Sequence, residues 1–243
     1  MLVLNNINKS FKNIKVLKNI SFTLQENKIF AFLGPNGVGK TTLIKIISGL
    51  ISADSGTVLL DDKKISMDKI STMFDGSRNL YWNISVRENF YYFTALKGRF
   101  KKEVDYLLEK NKEIFQIDNL LDKKYGELSL GQKQIVAVIN TLLSSPELAC
   151  FDEPSNGLDI YYEEKLIQII SNYIKNDSNK IIISSHDINF LYKVVDNFIV
   201  INKGEIIGEF SKNNLSLEEV TAKYLELLEG KKWKSIWMLL SLK

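Results

Sequence analysis

The sequence predicts an α/β fold, and three observations predict it. Short apolar runs that stop abruptly at loop residues, such as IFAFL at 29–33 and LACF at 148–151, alternate with longer stretches of helical period. A glycine-rich turn, GPNGVGKTT at 34–42, lies between one such run and the helix-like TLIKIISGL. From about Ser85 the spacing becomes helical and lysine-rich, as in FKKEVDYLLEKNKEIF, before the β/α alternation returns.

Taken in order, residues 2–33 carry the short apolar/polar runs LVLNNI, KVLKNISFTL and KIFAFL and read as strands. A helix follows the glycine-rich turn. SADSG is then a turn leading into the strand TVLLDD. The helical pattern fills an inserted lobe bounded at about 85–145, which takes in a helix from about Gly131 to Leu143. Beyond it come strand ELACFD, helix YYEEKLIQIISNYI, strand KIIISS, helix INFLYKVV, and strands FIVIN and EIIGEF. Ser216 with Glu219 makes a capping box that opens a last helix, SLEEVTAKYLELLE. Pro35, Pro146 and Pro154 all fall at loop positions, so none breaks a predicted helix.

The chain has 243 residues, 45% apolar and 25% charged, enough to bury one sizeable core. A formal charge of +3 is too small and too dispersed for nucleic acid to be the main partner. Cys150 is the only cysteine, so no internal disulfide forms and a reducing, cytoplasmic setting is expected, with the thiol a small buried hydrophobe. No apolar run approaches the length of a membrane span, and MLVLNNINKS lacks the pattern of a signal peptide.

The turn at 34–42 carries the chemistry. Wrapping a triphosphate takes backbone amides free of side chains, a fixed cation and a hydroxyl for a metal ion. Gly34, Gly37 and Gly39 provide the amides around Asn36, Lys40 the cation for the β- and γ-phosphates, and Thr41 the Mg²⁺ ligand, with Thr42 on the α-phosphate side. The helix behind them points its positive end at the anion. This is a P-loop for ATP and Mg²⁺.

Three further motifs join it. In LACFDEPSNGLD an apolar strand runs into two acids, where an open α/β sheet places ligand chemistry. Asp152 is expected to hold Mg²⁺ and Glu153 to polarise the attacking water, a strand-end ion pair or helix cap being the plain alternative. His186, the only histidine, directly follows the strand IIISS and is positioned to touch the γ-phosphate or the water. In LSLGQ, Ser129 caps a helix and Gly131 leaves backbone exposed, a second anion site.

GPNGVGKTT, LSLGQ, FDEP, SNGLD and His186, in that order, resemble the nucleotide-binding subunit of ABC transporters over about residues 2–229. The resemblance implies a P-loop NTPase cassette: a mostly parallel RecA-like core, an antiparallel β subdomain and an inserted helical subdomain. It implies ATP hydrolysis with Glu153, His186 and Lys40 as catalytic residues. It also implies a homodimer or heterodimer in which Ser129, Gly131 and Gln132 face the ATP on the opposite subunit, and in which Gly157 to Asp159 couple the two sites. Phe11 takes the place of the aromatic that stacks on adenine, a strand-packing role being the alternative. Asp75 stands where many members carry a glutamine that touches the metal, and is expected to be a metal ligand. Leu130 replaces a glycine, while Ile135 and Asn140 stand where arginines are common.

The partner so implied is a separate membrane permease on the cytoplasmic face of the membrane. Tyr81, Trp82, Phe90, Tyr91 and Tyr92 either form its docking cleft or build the lobe's own core. Export is the preferred direction, by analogy from the NLYW segment and the lack of a long C-terminal regulatory domain. The rival is a nucleotide-gated regulatory module with little turnover. The tail at 230–243, KKWKSIWMLLSLK after Gly230, is basic and aromatic, suited to a lipid interface or to local packing.

Overall fold

The structure is a computed structural model that describes residues 1–25, 28–76, 79–176 and 180–229. The expected C-terminal tail lies outside the described residues. In chain order the strands are β1 (Leu2–Phe11), β2 (Ile14–Leu24), β3 (Ile29–Leu33), β4 (Ser55–Leu60), β5 (Lys63–Lys64), β6 (Ile70–Met73), β7 (Leu148–Asp152), β8 (Lys180–Ser185), β9 (Asn197–Asn202) and β10 (Glu205–Ser211). The helices are α1 (Lys40–Ile47), α2 (Val86–Ala95), α3 (Lys101–Lys110), α4 (Lys112–Phe115), α5 (Leu130–Leu143), α6 (Ile160–Asn176), α7 (Ile188–Val194) and α8 (Leu217–Glu229).

Two sheets result. An antiparallel sheet has the order β2-β1-β4-β5, and a six-stranded sheet has the order β10-β9-β3-β8-β7-β6. In the second, every neighbouring pair is parallel except β9 with β10. The reason its central strands read as unbroken apolar runs is that both faces are covered. Ala31, Leu33, Phe151, Ile181 and Ile183 face a core shared with α5, α6 and α7. Phe30, Phe32, Cys150 and Ile182, the alternate residues, face a second core shared with α1 and the antiparallel sheet. A side-chain period of two therefore divides each strand between two layers.

The sequence names no strand between the turn after TVLLDD and the helical lobe, yet β6 is there. It is an edge strand of four residues, ISTM, paired only with β7. Ser71 and Thr72 interrupt its apolar character, and that hides it from a reading of periodicity. The capping box of Ser216 and Glu219 forms as expected: Ser216 N–H donates to Glu219 Oε2 at 2.7 Å, and Glu219 N–H donates to Ser216 Oγ at 3.3 Å. The aromatics of the 81–92 segment divide. Phe90 is wholly buried and Tyr91 half-buried in the core, whereas Tyr81, Trp82 and Tyr92 are exposed.

Candidate nucleotide-binding and hydrolysis site

Parallel pairing of β3, β7 and β8 brings their C-terminal ends to one edge of the sheet. The residues that follow each strand meet there: Gly34 after β3, Glu153 after β7 and His186 after β8. Between them and the start of α1 lies a cavity of about 290 Å³, lined among others by Asn36, Gly37, Gly39, Lys40, Thr41, Thr42, Asp75, Glu153, Asn156 and His186.

The loop that walls this cavity has backbone demands only glycine meets. Gly39 has φ +109°, and a Cβ there would lie 2.7 Å from Leu17 Cδ2. At Gly34 a Cβ would come 2.1 Å from the Ile201 carbonyl oxygen, because the loop leaves β3 hard against β9. Helix α1 then starts with no side-chain cap and no acid in its first turn. Its N-terminal amides and dipole are left to an anion.

Lys40 is buried, 5% exposed, and its ammonium is held on three sides. It donates to the Gly34 carbonyl at 2.6 Å and the Pro35 carbonyl at 3.2 Å, and pairs with Glu153 Oε1 at 3.3 Å. Glu153 adopts φ +48°, a region that non-glycine residues enter rarely and that tends to be kept at functional sites. Its N–H donates to the Ser184 carbonyl at 3.0 Å, and its Oε2 lies 3.0 Å from His186 Nδ1. The carboxylate thus bridges the P-loop lysine and the histidine.

Asp152 ends β7 opposite Ser184 of β8, whose hydroxyl donates to Asp152 Oδ1. Burial holds the Asp152 carboxyl above the ordinary aspartate range, and the charges of Glu153 and Asp75 push the same way. Hydrogen bonds from Ser184 and Thr41 oppose them. Asp75 is placed by Asn79, which accepts from the Phe74 N–H and donates to the carbonyls of Phe74 and Gly76. Across the cavity mouth, Asn156 Nδ2 donates to both Asp75 oxygens at 3.3 Å.

The sequence picks out Asn36, Gly37, Gly39, Lys40, Thr41, Thr42, Asp75, Glu153 and His186, and all of these line one cavity. Other picks lie apart from it. Phe11 is 47% exposed at the end of β1, with Lys9 Nζ 5.4 Å from its ring centre, and Val16 is the β1–β2 residue that lines the cavity. Ser129 caps α5 in a capping box with Gln132, and Asp159 accepts the Tyr162 N–H at 2.9 Å to cap α6. Gly131 corrects the expectation of an exposed backbone. It is buried under Tyr162, so that a Cβ would lie 2.3 Å from the tyrosine ring. Its lack of a side chain serves that packing. Leu130 is 47% exposed and leans toward Gly157. Two site residues escape sequence reasoning: Asn156, present within the quoted SNGLD, and Ser184, whose link to Asp152 exists only once β7 and β8 pair.

Comparison with known proteins gives the family. The family model for the ABC transporter matches residues 17–156. The chain is 32% identical to the lantibiotic transport ATP-binding protein SrtF of Streptococcus pyogenes, over 86% of this chain and 90% of that one. It is 33% identical to the maltose/maltodextrin import ATP-binding protein MalK of Mannheimia succiniciproducens, over 84% of this chain and 56% of that one. The fold is shared with the dimeric post-hydrolysis structure of the ATP-binding cassette MJ0796 bound to ADP and Pi. That match has a TM-score of 0.78 at 24% identity and covers 88% of this chain and all of that one. With a P-loop, Glu153 and a histidine converging on one cavity and a family model matching residues 17–156, this chain belongs to the ABC transporter family as an ATP-binding, ATP-hydrolysing subunit.

Proposed function

We propose that this chain, folded as one ATP-binding domain over residues 1–229, powers a separate membrane permease from the cytoplasmic face, in the export direction. The observation that carries the hydrolytic assignment is Glu153 held between Lys40 and His186 in the 290 Å³ cavity. Glu153 is the general base for the attacking water, and His186, anchored through Nδ1, presents its other ring nitrogen to the reacting phosphate. Lys40 and the α1 amides neutralise the β- and γ-phosphates.

The residues present fit a magnesium ion. Among the described residues no group of three or more His, Cys, Asp or Glu side chains is placed to hold a metal. Mg²⁺ bound with a nucleotide does not require one, since phosphate oxygens and waters supply most ligands. Thr41 and Asp152, with Asp75 nearby, would hold it, and burial of like-charged carboxyls gives the site a demand for a cation. When bound, the ion would supply charge neutralisation to the triphosphate.

Ser129, Gly131, Gln132 and Asp159 lie off the chain's own cavity, which supports a site completed by a second cassette, a copy or a cousin of this chain. Phe11, exposed at the end of β1, is free to stack on a base. Exposed Tyr81, Trp82 and Tyr92 are the contact for the permease. Among the described residues no helix is long and apolar enough to cross a membrane, so the pore is assigned to that other chain. Relatives named for lantibiotic transport and for maltose import stand at similar identity, and the export direction rests on the analogy of the NLYW segment.

Phosphate release by purified protein, wild type against Glu153→Gln, tests the hydrolytic reading. Equal background release from both overturns it. For the direction, ATP added outside inside-out vesicles that carry the assembled complex drives cargo inward if the complex exports. Accumulation only in right-side-out vesicles overturns export.

A further inference from the structure

Hydroxyl residues interrupt both β6 and β8, and the two strands use them differently. Beside the edge strand β6 a second cavity, of about 270 Å³, is lined among others by Ser71, Thr72 and Asn140 and shares no lining residue with the nucleotide site. Ser71 Oγ and Asn140 Oδ1 have no hydrogen-bond partner there among the described residues. In β8 the hydroxyl of Ser184 has two partners. It donates to Asp152 Oδ1 and accepts the Glu153 N–H at 3.3 Å.

Ser184 stands where an apolar residue is expected. The period of two along β8 sends Ile182 and Ser184 to one face, toward the core that Phe30, Phe32 and Cys150 share with α1. Ser184 is wholly buried there, in register with Phe32 on one side and Asp152 on the other. An apolar side chain would suit the core, but it would take from Asp152, itself 2% exposed, the hydroxyl that now meets one carboxylate oxygen. A buried charge is costly when its oxygens go unbonded. Where such an acid also holds a metal, the outer partner that orients it is worth about 10–100-fold in metal affinity.

The two acids lean on Ser184 through different atoms. Glu153, at φ +48°, turns its N–H back to β8, where the Ser184 carbonyl accepts it at 3.0 Å and the hydroxyl at 3.3 Å. Removing the hydroxyl leaves the carbonyl bond, so Glu153 keeps an anchor. Asp152 has no such reserve from this residue, because its bond is to the hydroxyl alone. Thr41, the other hydroxyl that bonds Asp152, is itself assigned to the cation, which leaves Ser184 as the partner that stays when the ion is bound. The neighbouring Ser185 accepts the Asp187 N–H at 3.0 Å, a turn within its own segment.

We propose that Ser184 is a positioning residue for the metal: its hydroxyl fixes the Asp152 carboxylate for the nucleotide-bound divalent cation, while the backbone anchors Glu153 independently. The inference rests on the reading that Asp152 holds Mg²⁺, and it adds the residue on which that role depends.

The test measures Mn²⁺ binding by the purified full chain with a non-hydrolysable ATP analogue, read as loss of the free-ion electron paramagnetic resonance signal. Ser184→Ala, which removes an atom and adds none, should raise the Mn²⁺ dissociation constant by about 10-fold or more, with affinity for the analogue in EDTA within about twofold of wild type. Ser184→Thr and Ser184→Val have nearly equal bulk and differ in the hydroxyl, so Ser184→Thr should bind Mn²⁺ about fivefold or more tighter than Ser184→Val. In phosphate release, Ser184→Ala should need about 10-fold more Mg²⁺ for half-maximal rate and come within about threefold of wild type at saturating Mg²⁺. Ser185→Ala should leave Mn²⁺ affinity unchanged. Wild-type Mn²⁺ affinity in Ser184→Ala, an equal loss in Ser185→Ala, equal affinity in the Ser184→Thr and Ser184→Val variants, or a rate deficit that excess Mg²⁺ does not restore overturns the proposal. Should Asp152→Asn bind Mn²⁺ as tightly as wild type, the reading of Asp152 as the metal residue fails and takes this inference with it.

Discussion

The two cavities differ in how their polar groups are satisfied. Around the P-loop almost every buried polar atom has a partner within the chain: Lys40 has two carbonyls and Glu153, Asp152 has Ser184, and Glu153 has His186. Only Glu153 Oε1 lacks a hydrogen bond, and it has the lysine charge instead. Beside β6, Ser71 Oγ and Asn140 Oδ1 have no hydrogen-bond partner among the described residues. A self-satisfied site holds its side chains in place before any ligand arrives. An unsatisfied one carries the cost of its unpaired groups within the folded chain.

Mutations can break or sharpen this contrast. The largest effect is expected at Glu153→Gln, where phosphate release should fall by about 10²–10⁴-fold while nucleotide binding persists, as read by steady-state release beside equilibrium binding. Lys40→Ala should weaken ATP binding by about 10–100-fold, the scale of hydrogen bonds to a charged group, measured by calorimetry. Gly131→Ala forces a methyl into the Tyr162 ring and should cost about 1–3 kcal/mol in chemical denaturation, and pairing it with Tyr162→Ala should recover part of that loss. Asn140→Leu should change the unassembled chain's stability least, within about 1 kcal/mol and toward greater stability, because it removes an unpaired acceptor. A large loss there would show that Asn140 has a partner within the chain.

Cysteine chemistry gives an independent check on the packing between the layers. Burial pushes the Cys150 thiol up to about 12, and the side chain is wholly enclosed in the core that β7 shares with α1. It should resist a thiol reagent at pH 8 in native protein and react at once in denaturant, as followed by absorbance.

How much of this was legible in the chain depends on how local each signal is. The P-loop could be read because its glycines, lysine and hydroxyls act within nine residues. The acid pair could be read because an apolar strand announces it. Contacts made across the fold could not. Tyr162 covers Gly131 from 31 positions away in the sequence, and Ser184 reaches Asp152 only through the register of β7 and β8. Asp159 reads as part of a coupling loop from its motif, while in the structure its carboxylate caps α6. Strand β6 was hidden for a related reason. Its two hydroxyl residues look wrong for a buried strand until the cavity they face is seen.

The bond between Lys40 and Glu153 has a consequence for how the molecule rests. With the Lys40 ammonium 3.3 Å from its Oε1, the Glu153 carboxylate is already engaged on one side within the chain. A triphosphate carries the charge to compete for that ammonium, where a nucleoside does not.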